Sequence, residues 1–455
     1  MLLVSSFTVI LNETVLSVAI PRLMVDLDVT ATTAQWVTTS FLLTMAVVMP
    51  TTGTVLQRWP VRAVFVFALS VFTVGTVIAA AAPGFEMLVV GRVVQAVGSA
   101  LTFPLLVTTI LAVVPARRRG SAMGQVAFVV AVGPAVGPTV GGVILSVLSW
   151  RWLFGVIAPG VVVCLIVGSI VIGDIGERRP GTIDGVSVAL SGVAFGGLIY
   201  GLSRIGSQAG FDGAATVAIV GGAAALWAFV YRQRLLAPTG RQLLDLRPFE
   251  CRPFVLGTAV LAVCMSVRFG VLILLALYLQ EVCGLSVLQT GLAVLPGGLM
   301  SGAVSPLVGR IFDRHGPRPL VIPGTVLATV ASAGLSMCGE TTPVVVVAVV
   351  YVAASVGFGL ILTPVMTAAL GCLDVDLYSH GSAIVNTVQQ VAAAVGTALF
   401  VSVMTLAAGG GSAAGVSIGG IRWGFFGTAV ASGVAAAGAF WIGRDRGAPV
   451  SVTEL

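Results

Sequence analysis

The chain has 455 residues, 57% of them hydrophobic and only 9% charged, with a mean hydropathy of +1.09. Soluble domains carry roughly 25% charged residues, so this composition excludes a soluble globular protein and points to a chain that lives in a bilayer. The formal charge is +6 and all 23 basic residues are Arg; they are spread over short loops rather than gathered in a patch, which argues against a nucleic-acid partner.

Fourteen apolar segments can be drawn, near residues 2–21, 34–56, 62–82, 86–113, 122–146, 151–173, 185–204, 213–231, 254–280, 287–308, 319–338, 343–369, 382–407 and 422–442. Each is about 20 residues or longer, the length that crosses a hydrocarbon core of about 30 Å as a helix. Too little chain remains for a soluble domain. With both termini in the cytoplasm, 17 Arg fall in inside loops or tails, four outside (Arg22, Arg151, Arg204, Arg422) and two within helices. That asymmetry sets the orientation. No cleavable leader is read; the first span serves as its own targeting signal, and Met1 reads as a late start. The six Cys are scattered singly and read as small apolar residues, with no disulfide framework or zinc site.

In chain order, the first span contains LNETVLSVAIP, residues 11–21. Glu13 lies roughly 18 Å deep at 1.5 Å per residue, beside Asn12. A mid-membrane carboxylate is a functional candidate by default, although permanent pairing or protonation in a helix contact is the plainer alternative. The loop GTVLQRWPVR, residues 53–62, carries Arg58 and Arg62, and GRIFDRHGPR, residues 309–318, repeats its plan 256 residues later with Asp313, Arg314 and Arg318. Two spaced copies argue for two related halves. In the fourth span Arg92 and Gln95 are three apart and share a face. A guanidinium cannot shed its proton, so Arg92 needs a partner, and Glu13 is the nearest candidate by sequence logic.

The fifth span reads AVGPAVGPTVGGVIL, residues 131–145. Gly133, Gly137 and Gly141 line one face as a flat groove for a neighbouring helix, with Pro134, Pro138 and Gly142 beside them and bends expected at the two prolines. The polar stretch 174–184 and two further spans then separate the halves. In the ninth span Arg268 sits near mid-membrane, where it either answers Glu13 or a substrate anion, or snorkels outward. The thirteenth span offers Asn386, Gln389 and Gln390, either to a cavity or as polar glue between helices.

LNETVLSVAIP, the Arg92 helix, GPAVGPTVGG, the extra helix pair and GRIFDRHGPR occur in one order that covers essentially the whole chain. Together they resemble the 14-helix drug:proton antiporter branch of the major facilitator superfamily, near the lincomycin and multidrug exporters. The first loop departs from the family pattern, with Gln57 in place of Asp and Pro60 in place of Gly. The resemblance implies an all-α membrane protein: an N-terminal six-helix bundle over 1–173, an inserted helix pair with cytoplasmic linkers over 174–250, and a C-terminal six-helix bundle over 251–455. It implies proton coupling through Glu13 and Arg92. The residues themselves suggest a substrate cavity drawing on Asn12, Gln95, Arg268, Asn386, Gln389 and Gln390, of which Arg268 stands outside the family pattern, where small or apolar residues are more usual. The resemblance further implies cytoplasmic gate loops at Arg58, Arg62, Asp313, Arg314 and Arg318, and a glycine face on the fifth helix that seals one side of the cavity.

The expected function is export of lipophilic drugs or other amphipathic molecules across a bacterial plasma membrane, by a monomer driven by the proton gradient without a cofactor or metal. Export of a lipid or endogenous metabolite, and a membrane sensor that has lost turnover, are the alternatives. No GxxxxGK[ST] is present to hold ATP. His315 and His380 lie in or next to inside loops with no nucleophile or metal spacing around them, so enzymatic catalysis is not expected.

Overall fold

The computed structural model describes residues 1–16, 19–173, 184–204, 213–239, 241–407 and 417–439. Sixteen α-helices run through them: α1 (Leu2–Val15), α2 (Ile20–Asp26), α3 (Ala31–Val48), α4 (Thr52–Arg58), α5 (Val61–Ala80), α6 (Phe85–Val113), α7 (Arg119–Val147), α8 (Arg151–Val171), α9 (Gly185–Arg204), α10 (Gly213–Leu236), α11 (Arg252–Leu277), α12 (Val287–His315), α13 (Arg318–Ser336), α14 (Val344–Gly371), α15 (Tyr378–Ala407) and α16 (Ile418–Ala439). Among the described residues, twelve helical stretches are long and apolar enough to cross a membrane. α1 with α2, and α16, bring the helical spans to fourteen.

Two spans each hold two described helices. In the first, α1 ends at Val15 and α2 begins at Ile20, with Pro21 in its opening turn, a position where the missing N–H costs nothing. The second divides at a 3₁₀ turn, Met49–Thr51, that holds Pro50. The fifth behaves the other way. α7 runs unbroken through Pro134 and Pro138.

Small residues set the packing. α5 meets α6 at Gly75, Gly91 and Gly98, and α13 meets α14 at Gly324 and Gly357, so the two halves close corresponding helix pairs in the same manner. The halves join along α7 and α12, and again where α4 meets α15. Along α7 and α12 a methyl group added at Gly124 would stand 2.6 Å from Ser305 O, and one at Gly298 would stand 2.5 Å from Ala135 Cβ. α9 and α10 pack on each other through Gly197 and Gly222, and α9 lies against both α3 and α15.

Two sequence expectations need correction. The glycine face of α7, expected to seal one side of the cavity, is turned away from it. It seats α1, within the first bundle: a methyl group at Gly133 would meet Ile10 Cγ2 at 2.6 Å and one at Gly137 would meet Thr14 Cβ at 2.8 Å. A different small-residue face of the same helix, Gly120, Gly124, Ala131 and Ala135, meets α12. The cysteines are not all single either. α11 and α14 pack together, so Cys251 at the start of α11 and Cys372 at the end of α14 come together as a disulfide despite 121 residues of separation.

Candidate functional site

Arg92 is fully buried in the first bundle, on α6. Its Nη1 donates to Gln95 Oε1 at 3.0 Å, its Nε to Val37 O of α3 at 3.4 Å, and its Cζ stands 4.0 Å over the Phe41 ring. Gln95 in turn donates to Thr76 Oγ1 of α5 at 2.8 Å. Gln95 is therefore the holder of the guanidinium, with both ends of its amide in use. Arg92 Nη2 has no hydrogen-bond partner. Glu13, half-buried on α1, lies within electrostatic reach of Arg92, yet the two form no ion pair within 4 Å. The direct bridge that sequence logic suggested is absent, because Gln95, Val37 and Phe41 hold the guanidinium on the α3 side. Asn12 is buried with its Nδ2 unpartnered.

Between the bundles lies a cavity with about 560 Å³ of empty space, part of it open to solvent. Met123 and Phe103 come from the first bundle; Met265, Met366, Arg268 and Gln389 come from the second. Of the six residues expected to line a cavity, Arg268 and Gln389 do so. Asn12, Gln95, Asn386 and Gln390 are not among its walls. Asn386 donates to Ser382 O at 2.8 Å on its own helix, and Gln390 is half-buried.

The loop arginines divide. Arg62, Arg314 and Arg318 are exposed, and Arg58 is half-buried with its Nη1 unpartnered. The cross-bundle bonds come from other residues. Asp313 accepts from Gly120 N at 2.7 Å and Ser121 N at 2.8 Å, in the first turn of α7. Arg119 donates to Tyr378 Oη at 2.9 Å, with its Cζ 5.3 Å from that ring. Gln57, where the resemblance leads one to expect Asp, donates to Asp376 O at 3.0 Å and its Oε1 stands 3.1 Å from His380 Nε2. These bonds all lie at the arginine-rich end. Away from it the bundles diverge, and a methyl group at Gly142 of α7 or Gly291 of α12 would meet nothing within 4 Å.

The Major Facilitator Superfamily profile matches residues 2–397. Lincomycin resistance protein LmrB of Listeria monocytogenes is 38% identical over 403 residues, covering 89% of this chain and 85% of that protein. An uncharacterized MFS-type transporter of Bacillus subtilis, YcnB, is 37% identical over 404 residues, with the same shares covered. A crystal structure of the human organic anion transporter MFSD10 superposes with a TM-score of 0.70 over 96% of this chain and 97% of its own; at 13% identity that likeness speaks for the fold. The chain belongs to the Major Facilitator Superfamily. It is a multi-pass membrane transporter of the kind that binds small molecules in a bilayer, and its family holds transporters rather than enzymes.

Sequence reasoning missed part of this transporter's closed end. His380 is buried, not a bystander in a loop: its Nδ1 accepts from Asp245 N at 3.3 Å while Nε2 faces Gln57. The neutral ring therefore carries its proton on Nε2. The linker ahead of α11 is threaded into the same junction. Thr54 Oγ1 donates to Leu243 O, and Gln233 Oε1 accepts from Leu243 N at 2.7 Å and Leu244 N at 3.1 Å. Asp245 closes the group by pairing with Arg247 at 2.7 Å. Burial alone would raise the Asp245 carboxyl, but the Arg247 bonds outweigh it and hold it below the usual range. One signal was available: in LDLRPFECRPF the sequence puts an acid and a base two apart in a stretch too polar for a span.

Proposed function

We propose that this transporter exports lipophilic drugs or other amphipathic small molecules from the cytoplasm in exchange for protons, by alternating access. The observation that carries the coupling is the relation of Glu13 to Arg92: a carboxylate near a fixed guanidinium but not bonded to it. Proton affinity at such a carboxylate depends on local hydration and on the distance to the cation, both of which change when two bundles rock. Arg92 is braced by Gln95 and keeps its Nη2 amino group unused, so it is poised to take the carboxylate in another conformation. The kinship with lincomycin resistance proteins supports a drug as cargo. The count of Arg in loops supports cytoplasmic termini, which puts the closed end at the cytoplasm and the opening outside. The working unit proposed is a monomer. No cofactor is needed: a potential of 100 mV supplies about 2.3 kcal/mol per proton, roughly a 50-fold gradient for a neutral cargo.

The test is efflux of lincomycin and of ethidium from proteoliposomes under an imposed pH gradient. Flux should fall to background with a protonophore, and Glu13→Gln should lose pH-driven flux while retaining cargo exchange without a gradient. Normal pH-driven efflux by Glu13→Gln overturns the coupling; absence of flux for these two basic or cationic cargoes and also for an anionic amphiphile such as dansylglycine overturns drug export.

A further inference from the structure

Arg268 projects from the middle of α11 into the wall of the central cavity. Among the described residues it has no ion pair and no hydrogen bond. The ionisable group that acts on it is the Tyr351 hydroxyl of α14, which offers no countercharge at neutral pH. No Asp or Glu lines the cavity; the polar side chains there besides Arg268 are Ser301, Ser305, Thr363 and Gln389. Glu13 does not serve as its partner, and the side chain does not snorkel out to the membrane surface. Among the described residues, the other two charges that the sequence places at membrane depth have a different situation. Arg92 is bonded on two sides, and Glu13 has Arg92 in reach.

A guanidinium in the bilayer interior is costly to leave alone, and it cannot neutralise itself by losing a proton. Its planar fork of donors fits carboxylate, sulfonate and phosphate oxygens two at a time. Around it the walls are soft and apolar: Met123, Met265 and Met366 adapt to varied shapes, and Phe103 offers a ring face. We infer that Arg268 is the charge-selecting residue of this cavity, and that the preferred cargo is a lipophilic organic monoanion whose acidic group sits on Arg268 while its apolar body lies among the methionines. The inference rests on the export reading for its setting, but it concerns which molecules bind and can fail separately.

Three dansyl compounds that share one fluorophore test it on the purified protein: dansylglycine (an anion), dansylglycinamide (neutral) and dansylcadaverine (a cation), each titrated by fluorescence. The expected result is at least tenfold tighter binding of dansylglycine than of dansylglycinamide, a ratio that collapses to near one in Arg268→Gln and survives in part in Arg268→Lys. Equal affinity of the unaltered protein for all three compounds overturns the inference, as does an Arg268→Gln protein that keeps the full ratio. Should Arg268→Gln fail to fold, the ratio in the unaltered protein and in Arg268→Lys decides. Anion-selective binding without flux of any cargo sinks the export reading and leaves this site standing; flux of ethidium with no preference for the anion does the reverse.

Discussion

The Asp313 carboxylate, at the end of α12 in the second bundle, sits on the Gly120 N–H at the start of α7 in the first, 2.7 Å away. With Ser121 N at 2.8 Å it satisfies two donors that the helix start leaves without an intrahelical acceptor, and it places negative charge at the positive end of the helix dipole. A methyl group at Gly120 would stand 2.5 Å from Asp313 Oδ1, so the carboxylate can come this close because residue 120 has no side chain. Charge-assisted bonds of this kind contribute about 1.5–3 kcal/mol.

Removing that lock should therefore shift the balance between conformations by roughly tenfold or more. Asp313→Ala is expected to open the arginine-rich end. With a cysteine introduced at Thr363 in the cavity and the native cysteines replaced, maleimide labelling from that side should accelerate about tenfold. Asp313→Asn, which keeps an acceptor, should show a smaller change. An unchanged labelling rate in Asp313→Ala would mean that the bonds do not hold the end shut.

The Gln57–His380–Asp245 chain is a second clamp, on the other side of the interface. His380→Phe leaves the buried Asp245 N–H unpaired, at about 1–3 kcal/mol, and takes away the partner of the half-buried Gln57 Oε1. Hydrogen–deuterium exchange over residues 243–246 should quicken in this variant. Combined with Asp313→Ala the effect on labelling should be close to additive, since the two sites share no residue.

On α7 two glycines predict opposite outcomes. Gly137→Ala drives a methyl group against Thr14 and should lower thermal stability by about 1–3 kcal/mol, the usual cost of overpacking. Gly142→Ala meets open space and should be neutral or stabilising by up to about 1 kcal/mol through helix propensity. Thermal unfolding of the purified variants separates the two; equal melting temperatures would contradict the packing of α1 on this face.

The α9–α10 hairpin carries a pH dependence of definite sign. Arg232 donates to both Asp184 oxygens, at 2.7 and 2.9 Å, and Ser187 adds further bonds. The Arg232 bonds above all hold the Asp184 carboxyl well below the usual carboxylate range. A depressed carboxylate contributes stability above its unfolded value of about pH 4 and loses that contribution as pH falls through the folded value. Asp184→Asn should therefore lower the melting temperature at pH 7, and the gap to the unaltered protein should narrow as the pH is taken well below 4. A gap of constant size would rule out the ion pair as its source.

Much of the fold was legible because lipid imposes a simple rule: each crossing needs a long apolar run, and GRIFDRHGPR with its earlier counterpart marks the two halves. The 3₁₀ turn at Met49–Thr51 was not, since apolar content alone does not show where a helix is interrupted. Within the site, Arg92 and Gln95 were readable from their three-residue spacing. The other two groups that hold Arg92, Val37 and Phe41, were not, because an ordinary Val carbonyl and a Phe ring carry no polar signature in a sequence. His380 illustrates the same limit. Its role depends on Gln57, 323 residues away, and on Gly53, where a methyl group would stand 2.7 Å from the imidazole. The repeated loop glycine thus makes room for a ring that only the folded chain brings to it.

The wedging of α9 between α3 and α15 bears on the route that a greasy molecule takes. Ala46, Phe195 and Ile199 form one apolar patch there, with Val391 and Ala394 against it. Contacts of this type have no preferred direction, so neighbouring surfaces can slide without breaking any bond. They also leave no slot for a lipid tail on that flank. A molecule dissolved in the leaflet would thus meet packed side chains and no opening where α9 lies between α3 and α15, just as it would along the close seam of α7 and α12.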